Sequence, residues 1–189
     1  IQFNKIKEKR YAKVVENLKD IRNAELAHKE IVGTFQDDFD KLVGFLDTAE
    51  FAITQRRDTT VLDEEYRKQY GVDEYIEKVI VDTLGFVSVK DSLFKGNKER
   101  YTNMINVPVD DVDAKFELDA GTITKGNSEI PVFRARVAKS VVLQGLDKEL
   151  ILQQNQVQSV DDINGRYINV GSLEEVNTKG NWPTQYGDE

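Results

Sequence analysis

Residues 3–35 read FNKIKEKRYAKVVENLKDIRNAELAHKEIVGTF, and the reading of this stretch decides the fold. It has no proline and no glycine before Gly33. Tyr11, Val14, Val15, Leu18, Ile21, Ala24, Ala27, Ile31 and Val32 recur at helical spacing, which places them on one stripe. Lys13, Glu16, Asn17, Lys19, Asp20, Arg22 and Glu25 fall on the other side. A helix over residues 3–32 is about 45 Å long at about 1.5 Å per residue. Gly33 is its expected stop, because glycine enters the left-handed region without a Cβ clash. His28 and Lys29 sit in the last turn, where the helix dipole favours positive charge.

Towards the N-terminus the stripe fades. Ile1, Phe3 and Ile6 are surrounded by Lys5, Lys7, Lys9 and Arg10. A start this polar is expected to be poorly covered by its own domain, so the helix should protrude. The first residue is Ile, and the expected preceding segment is an apolar membrane span. The basic flank pulls the other way, since such residues usually lie on the cytoplasmic side of a span.

The 189 residues suit one domain or one domain with an appendage. Apolar residues make up 39% and charged residues 32%, a balance that suits much exposed surface. The net charge is −8, but residues 1–35 hold eight Lys and Arg against five Asp and Glu, or +3, leaving −11 for the remainder. An acidic body lacks the clustered Lys and Arg that phosphate contacts require, so nucleic acid is not an expected partner. The absence of cysteine removes thiol nucleophiles and thiolate metal sites.

Downstream, Phe39, Leu42, Val43, Phe45 and Leu46 predict a short second helix over 38–48, capped by Asp37 or Asp38. AITQRRDTT at 52–60 is polar and reads as a strand end or loop. Residues 62–78 predict a short helix closed at Gly71. KVIVDTLGFVSVKDSLF at 78–94 is rich in β-formers, with Gly85 a candidate bulge. Residues 114–137 give the clearest β signal: alternation around Phe116 and Leu118, a turn at Gly126-Asn127, and a return through Val132 to Val137. SVVLQGL at 140–146 and RYINV at 166–170 are read as further strands. Trp182 is apolar enough to hold the polar tail on the body.

Two places carry a resemblance. The layout from Glu16 to Leu46, through Leu18, Ile21, Ala24, Gly33, Phe35, Asp37 and Leu42, is similar to the major pseudopilins of type II secretion systems. So is Gly180-Asn181-Trp182 after an acidic turn; in that family acidic residues before the tryptophan bind calcium, which makes Glu174, Glu175 and Asn177 positional candidates for a calcium site. More closely, the chain resembles a set of single-span envelope proteins of Bacteroides- and Flavobacterium-like bacteria. The shared pieces are residues 9–35, VDTLGFVSVKDSLF at 81–94, FELDAGTI and IPVFRARV at 116–123 and 130–137, VVLQGLDKE at 141–149, and VGSLEEVNTKGNW at 170–182. That resemblance implies an inner-membrane anchor and a periplasmic domain. It implies no activity.

Catalytic motifs are missing. His28, the only histidine, reads as a helix-terminal or packing residue. Asp37, Asp38 and Asp40, Asp110, Asp111 and Asp113, and Asp161 and Asp162 precede element starts and read as caps or turn residues. No phosphate-binding glycine loop or nucleophile elbow is present.

The expected fold is therefore α+β and pilin-like: a protruding N-terminal helix, residues 1–35, packed on an antiparallel sheet of four or five strands within an extracytoplasmic domain, residues 36–189. The expected function is that of a non-enzymatic subunit, pilin-like or scaffold, of a secretion, pilus or surface-assembly machine, with no catalytic or metal residues and no cofactor beyond the calcium possibility. Tyr11, Val14, Val15 and Leu18 are the expected contacts to other subunits. If the domain itself covered that stripe from start to finish, the assembly-subunit reading would fall with it. The rival expectation is a ligand-binding or regulatory domain with an apolar cleft lined by Phe45, Phe86 or Phe116. A metal-dependent hydrolase using paired aspartates is a third.

Overall fold

The computed structural model describes residues 1–187. In chain order the elements are helix α1 (Gln2–Val32), α2 (Phe39–Thr48), strand β1 (Glu50–Leu62), α3 (Glu64–Tyr70), β2 (Tyr75–Ser88), α4 (Val89–Phe94), α5 (Lys98–Asn103), β3 (Glu117–Lys125), β4 (Ser128–Ala138), α6 (Lys139–Val142), α7 (Lys148–Asn155) and β5 (Tyr167–Gly171), followed by a 3₁₀ turn at Thr184–Tyr186. The fold is α+β, as the sequence predicts. In place of one sheet of four or five strands there are two antiparallel sheets, β1-β2 and β3-β4-β5.

The chain divides into two compact units, and neither begins at residue 36. One, the body, comprises Ile1–Ala49 and Val89–Glu189; the other, the hairpin unit, is Glu50–Ser88. The N-terminal helix is thus part of the body rather than a domain of its own.

In the body, α1 ends where Gly33 adopts φ 95° and its N–H returns to the Lys29 carbonyl at 2.8 Å. Asp38 caps α2 by accepting from the Lys41 N–H at 3.0 Å. The core forms where the stripe of α1 meets the inner face of β4 and β5. Phe133, Ala135 and Val137 alternate inward along β4, and Ile168 and Val170 do so along β5. Leu42 and Leu46 of α2, Phe94 of α4, Tyr101 of α5 and Leu143 complete it. The body has long-range polar staples as well. Arg10 donates to the Val142 and Gln144 carbonyls, and Asn17 to those of Met104 and Asn106. Arg100 grips Asp20 with two bonds of 2.8 and 3.0 Å.

The tail is a fourth, irregular strip along β5. Gly171 N–H bonds to the Lys179 carbonyl and Asn181 N–H to that of Asn169. The Asn181 side chain adds a donor to the Tyr167 carbonyl and an acceptor for the Asn169 N–H. This brings Trp182 into the core at 1% exposure, with the Arg22 guanidinium 5.9 Å from its ring centroid. The expected docking of the tail by its tryptophan is what the structure has.

One expected strand is absent, and one stretch read as a strand end or loop is a full strand. SVVLQGL is not extended: α6 and a turn closed at Gly145 occupy it, and Val142 and Leu143 reach the core from helical positions. The polar run 52–60 is fully extended as the middle of β1, despite having no apolar alternation of its own.

Candidate functional site

The four residues expected to touch other subunits do not reach the surface. Tyr11, Val14, Val15 and Leu18 each have 0% exposure, as do Ile21 and Ala24 further along α1. From Tyr11 to Ala27 the stripe is covered from within by the sheet and the smaller helices, while Ile31 and Val32 at its end stay 41% and 55% exposed. Even Lys7 is buried, its ammonium 3.5 Å from Asp162 and 6.0 Å from the centroid of the Tyr11 ring. The helix therefore does not protrude beyond its first turns, and an assembly role cannot rest on this face.

Phe45 packs edge-on against His28 at 4.8 Å, Phe116 is buried, and Phe86 belongs to the hairpin unit. An open, polar depression of about 550 Å³ in the body lies over Arg134, Arg136, Tyr167 and the 172–181 loop. Its arginines are engaged: Arg134 with Asp119 at 3.1 Å, Arg136 with Glu117 at 2.6 Å and stacked on Tyr167.

Of the titratable groups buried in the body, His28, Glu25 and Lys139 have local partners, while the Tyr11 hydroxyl and the second Glu25 carboxylate oxygen have no hydrogen-bond partner among the described residues. His28 Nδ1 contacts the Thr34 carbonyl just past the helix end. Glu25 is fully enclosed; one carboxylate oxygen accepts the Gln36 N–H at 2.9 Å, and burial pushes its pKa up to about 8. Lys139 is fully enclosed too, donating to the Gln154 and Ile163 carbonyls, and burial lowers its pKa to about 8. Both tie a loop to an element. Of the calcium candidates, Asn177 spends its side-chain oxygen on the Lys179 N–H, and the Glu174 and Glu175 amides are turned onto Ser172 Oγ. Among the described residues no group of three His, Cys, Asp or Glu side chains is placed to hold a metal ion.

The surface that stands out is the hairpin unit. β1 and β2 pair along thirteen partners from Glu50↔Ser88 to Leu62↔Tyr75. The register shifts between Ile53 and Thr54, where Leu84 of β2 has no partner, and this is the bulge foreseen at Gly85. At the far end Asp63 caps α3 by accepting from the Tyr66 N–H at 3.1 Å, and Gly71 closes that helix in the left-handed conformation.

The alternation of β2 gives the unit two faces. Tyr75, Val79 and Val81 lie on one; Ile76, Lys78, Ile80 and Asp82 lie on the other. Apolar residues on both faces in a near-continuous run are the composition of a strand covered on both sides. Here they are open: Tyr75 is 62% exposed, Val81 58%, Leu84 63% and Phe86 65%. Both strands also have an unpaired edge, since the sheet has only two. A two-stranded ribbon is marginal alone in water, and an apolar edge strand is a template for another strand. On β1 the exposed edge is polar, with Arg56 and Arg57 adjacent and Arg57 bonded to Asp82 at 2.8 Å.

No family model matches this chain, and no curated protein or solved structure does. Among the described residues no helix is long and apolar enough to cross a membrane. The hairpin residues were missed as a site because, in sequence, an apolar run reads as core. The usable signal was that run's partner: no stretch near 52–60 offers an apolar face to cover it.

Proposed function

We propose that the protein is a non-enzymatic, pilin-like or scaffold subunit of an envelope assembly, a secretion, pilus or surface machine, acting as the periplasmic domain of a membrane-anchored chain. The observation that carries the assembly part is the open apolar surface of β2, with Tyr75, Val81, Leu84 and Phe86 each more than half exposed. Contiguous exposed apolar surface on a folded domain marks a contact site. The contacting element is the hairpin unit, in place of the buried face of α1. A long helix laid on a three-stranded antiparallel sheet is in keeping with the pseudopilin resemblance. The envelope location and the anchor rest on the resemblance to single-span envelope proteins.

The test is excision of the hairpin unit in cells that make the protein. Val89 N–H bonds to the Ala49 carbonyl at 3.0 Å, so the two cut ends already lie side by side and a short glycine-containing turn can join them. The unaltered chain should fractionate with membranes and run on native gels as part of a larger complex. The excised chain should keep its membrane fraction and leave the complex. An excised chain that still enters the complex would overturn the role of the hairpin. A full-length chain that runs as a soluble monomer would overturn the assembly reading altogether.

A further inference from the structure

We infer that the hairpin unit pairs with a second copy of itself, β2 against β2 across a two-fold axis, in the register that sets Ile80 opposite Ile80 of the second copy. This rests on reading the hairpin as the contact element and names what it contacts.

The centre of β2 reads Lys78-Val79-Ile80-Val81-Asp82. The run is symmetric about Ile80 in its two valines and antisymmetric in charge. An antiparallel pair of identical strands sets each residue opposite its mirror position. With Ile80 on the axis, Val79 faces Val81 of the second copy, and Lys78 faces Asp82, each twice by symmetry. Opposite charges and β-branched residues directly across are favourable cross-strand pairs, and like charges there are not. One step further out, Glu77 faces Thr83.

Neighbouring registers are worse. A shift of two residues sets Lys78 or Asp82 opposite Ile80. A shift of one sets Glu77 opposite Asp82, or Val79 opposite Asp82. Register is strongly specified only where charge and apolar pattern agree on one alignment, and here they do.

The surroundings fit the same pairing. β2 has an unpaired edge, and its outward side is the one long apolar strand edge in the unit. β1 has Arg56 and Arg57 adjacent at its centre, a composition that blunts edge pairing. Lys78, Ile80 and Asp82 share a face, and Arg57 of β1 lies on it, bonded to Asp82. In the pair each Asp82 carboxylate would then lie between its own Arg57 and the second copy's Lys78; its two oxygens can accept from both. On the other face Val79 and Val81 of both copies form a cluster of four valines. The two-stranded ribbon becomes a four-stranded sheet, the size at which such structure gains independent stability. A two-fold contact of this kind closes on itself and gives a dimer rather than a fibre.

The experiment is sedimentation equilibrium on the purified 189-residue chain and on two variants, Lys78→Asp and Asp82→Lys. The native chain should show a concentration-dependent dimer. Each variant sets two like-charge pairs across the axis and should weaken the dimer by about tenfold or more. Equal mixing of the two variants should restore it as a heterodimer. One copy then carries acid at both positions 78 and 82 and the other carries base at both, so each cross-axis pair again joins opposite charges. Ile80→Cys should cross-link to its own kind under mild oxidant or with a short bis-maleimide, and Thr59→Cys on β1 should not; the native chain has no cysteine to confuse the result. Circular dichroism checks that the variants fold. A native chain that stays monomeric with no Ile80→Cys cross-link overturns the pairing. So does a dimer that Lys78→Asp leaves unchanged, or a mixture that does not recover. If those fail while excision of the hairpin still releases the protein from its cellular complex, the hairpin remains the contact element and only self-pairing is wrong.

Discussion

At the scale of single residues, the decisive fact is that the stripe of α1 is core. Leu18 has 0% exposure. Leu18→Asp would place an unpaired carboxylate among apolar side chains, and the cost of burying it should exceed about 4 kcal/mol. Circular dichroism and urea unfolding should show a body that is largely unfolded at 25 °C. A Leu18→Asp protein with a native urea midpoint would mean that this face is open after all. Glu25 gives a subtler signature. Its folded pKa of about 8 lies above the usual carboxylate value of 4.5, chiefly through burial. Between those two pH values the unfolded chain has lost the proton that the folded chain keeps, so stability falls as pH rises through that window. One proton contributes a slope of up to about 1.4 kcal/mol per pH unit. Glu25→Gln keeps an oxygen for the Gln36 N–H and removes the titration. Urea midpoints at pH 5 and pH 7.5 should diverge more for the native chain than for the variant; parallel changes would remove Glu25 as the cause.

At the scale of elements, the tail strip shows how far one side chain organises a segment with little regular structure. Residues 177–182 hold to β5 by backbone bonds at Gly171 and Asn181 and by the Asn181 side chain, while Trp182 fills the core beneath. Trp182→Ala leaves a large cavity and should cost about 3–5 kcal/mol. Followed by far-ultraviolet circular dichroism in guanidinium, the loss should appear as a lower midpoint, and limited proteolysis should cut first within 172–187. A loss below about 1 kcal/mol would show that the strip holds without its anchor. This docking was legible, because a lone tryptophan in a polar tail has few other uses. The cap of α2, read as Asp37 or Asp38, and the stops at Gly33 and Gly71 were also legible, because capping is a local bond between residues a few positions apart. The strand β1 was not. Its middle, Gln55 to Thr60, has no apolar alternation, and only β2 opposite it makes it extended. The error at SVVLQGL has the opposite origin: Val141, Val142 and Leu143 favour strands by composition, yet the Leu143 N–H closes a helical turn on the Lys139 carbonyl, and the Lys139 ammonium ties that turn to the Gln154 and Ile163 carbonyls.

At the scale of the whole molecule, the chain forms two units, the hairpin being inserted in sequence between Ala49 and Val89 of the body. The body closes across its own insertion through the Val89 N–H to Ala49 carbonyl bond. Replacing residues 50–88 by a short turn should therefore leave the body's stability within about 0.5 kcal/mol of the native value in urea unfolding, the tolerance expected of surface changes. A body that fails to fold without the hairpin would show that the units depend on each other, and would disqualify the excision as a probe of assembly.

The sequence by itself determined the long helix, its glycine stop, the β3-β4 hairpin with its Gly126-Asn127 turn, and the α+β class. Each is written in short-range spacing, which a helix or a tight turn reads directly. It also held the apolar pattern of β2 and the symmetric run at Lys78 to Asp82. What it left open was where each apolar surface ends up. A stripe at helical spacing looks the same whether its cover comes from β4 and β5 or from a neighbour, and a run of valines looks the same buried or bare. Only the tertiary structure decided that the stripe of α1 is closed from within between Tyr11 and Ala27 and that β2 is open, because burial is a property of what lies across in space and not of the chain that supplies it.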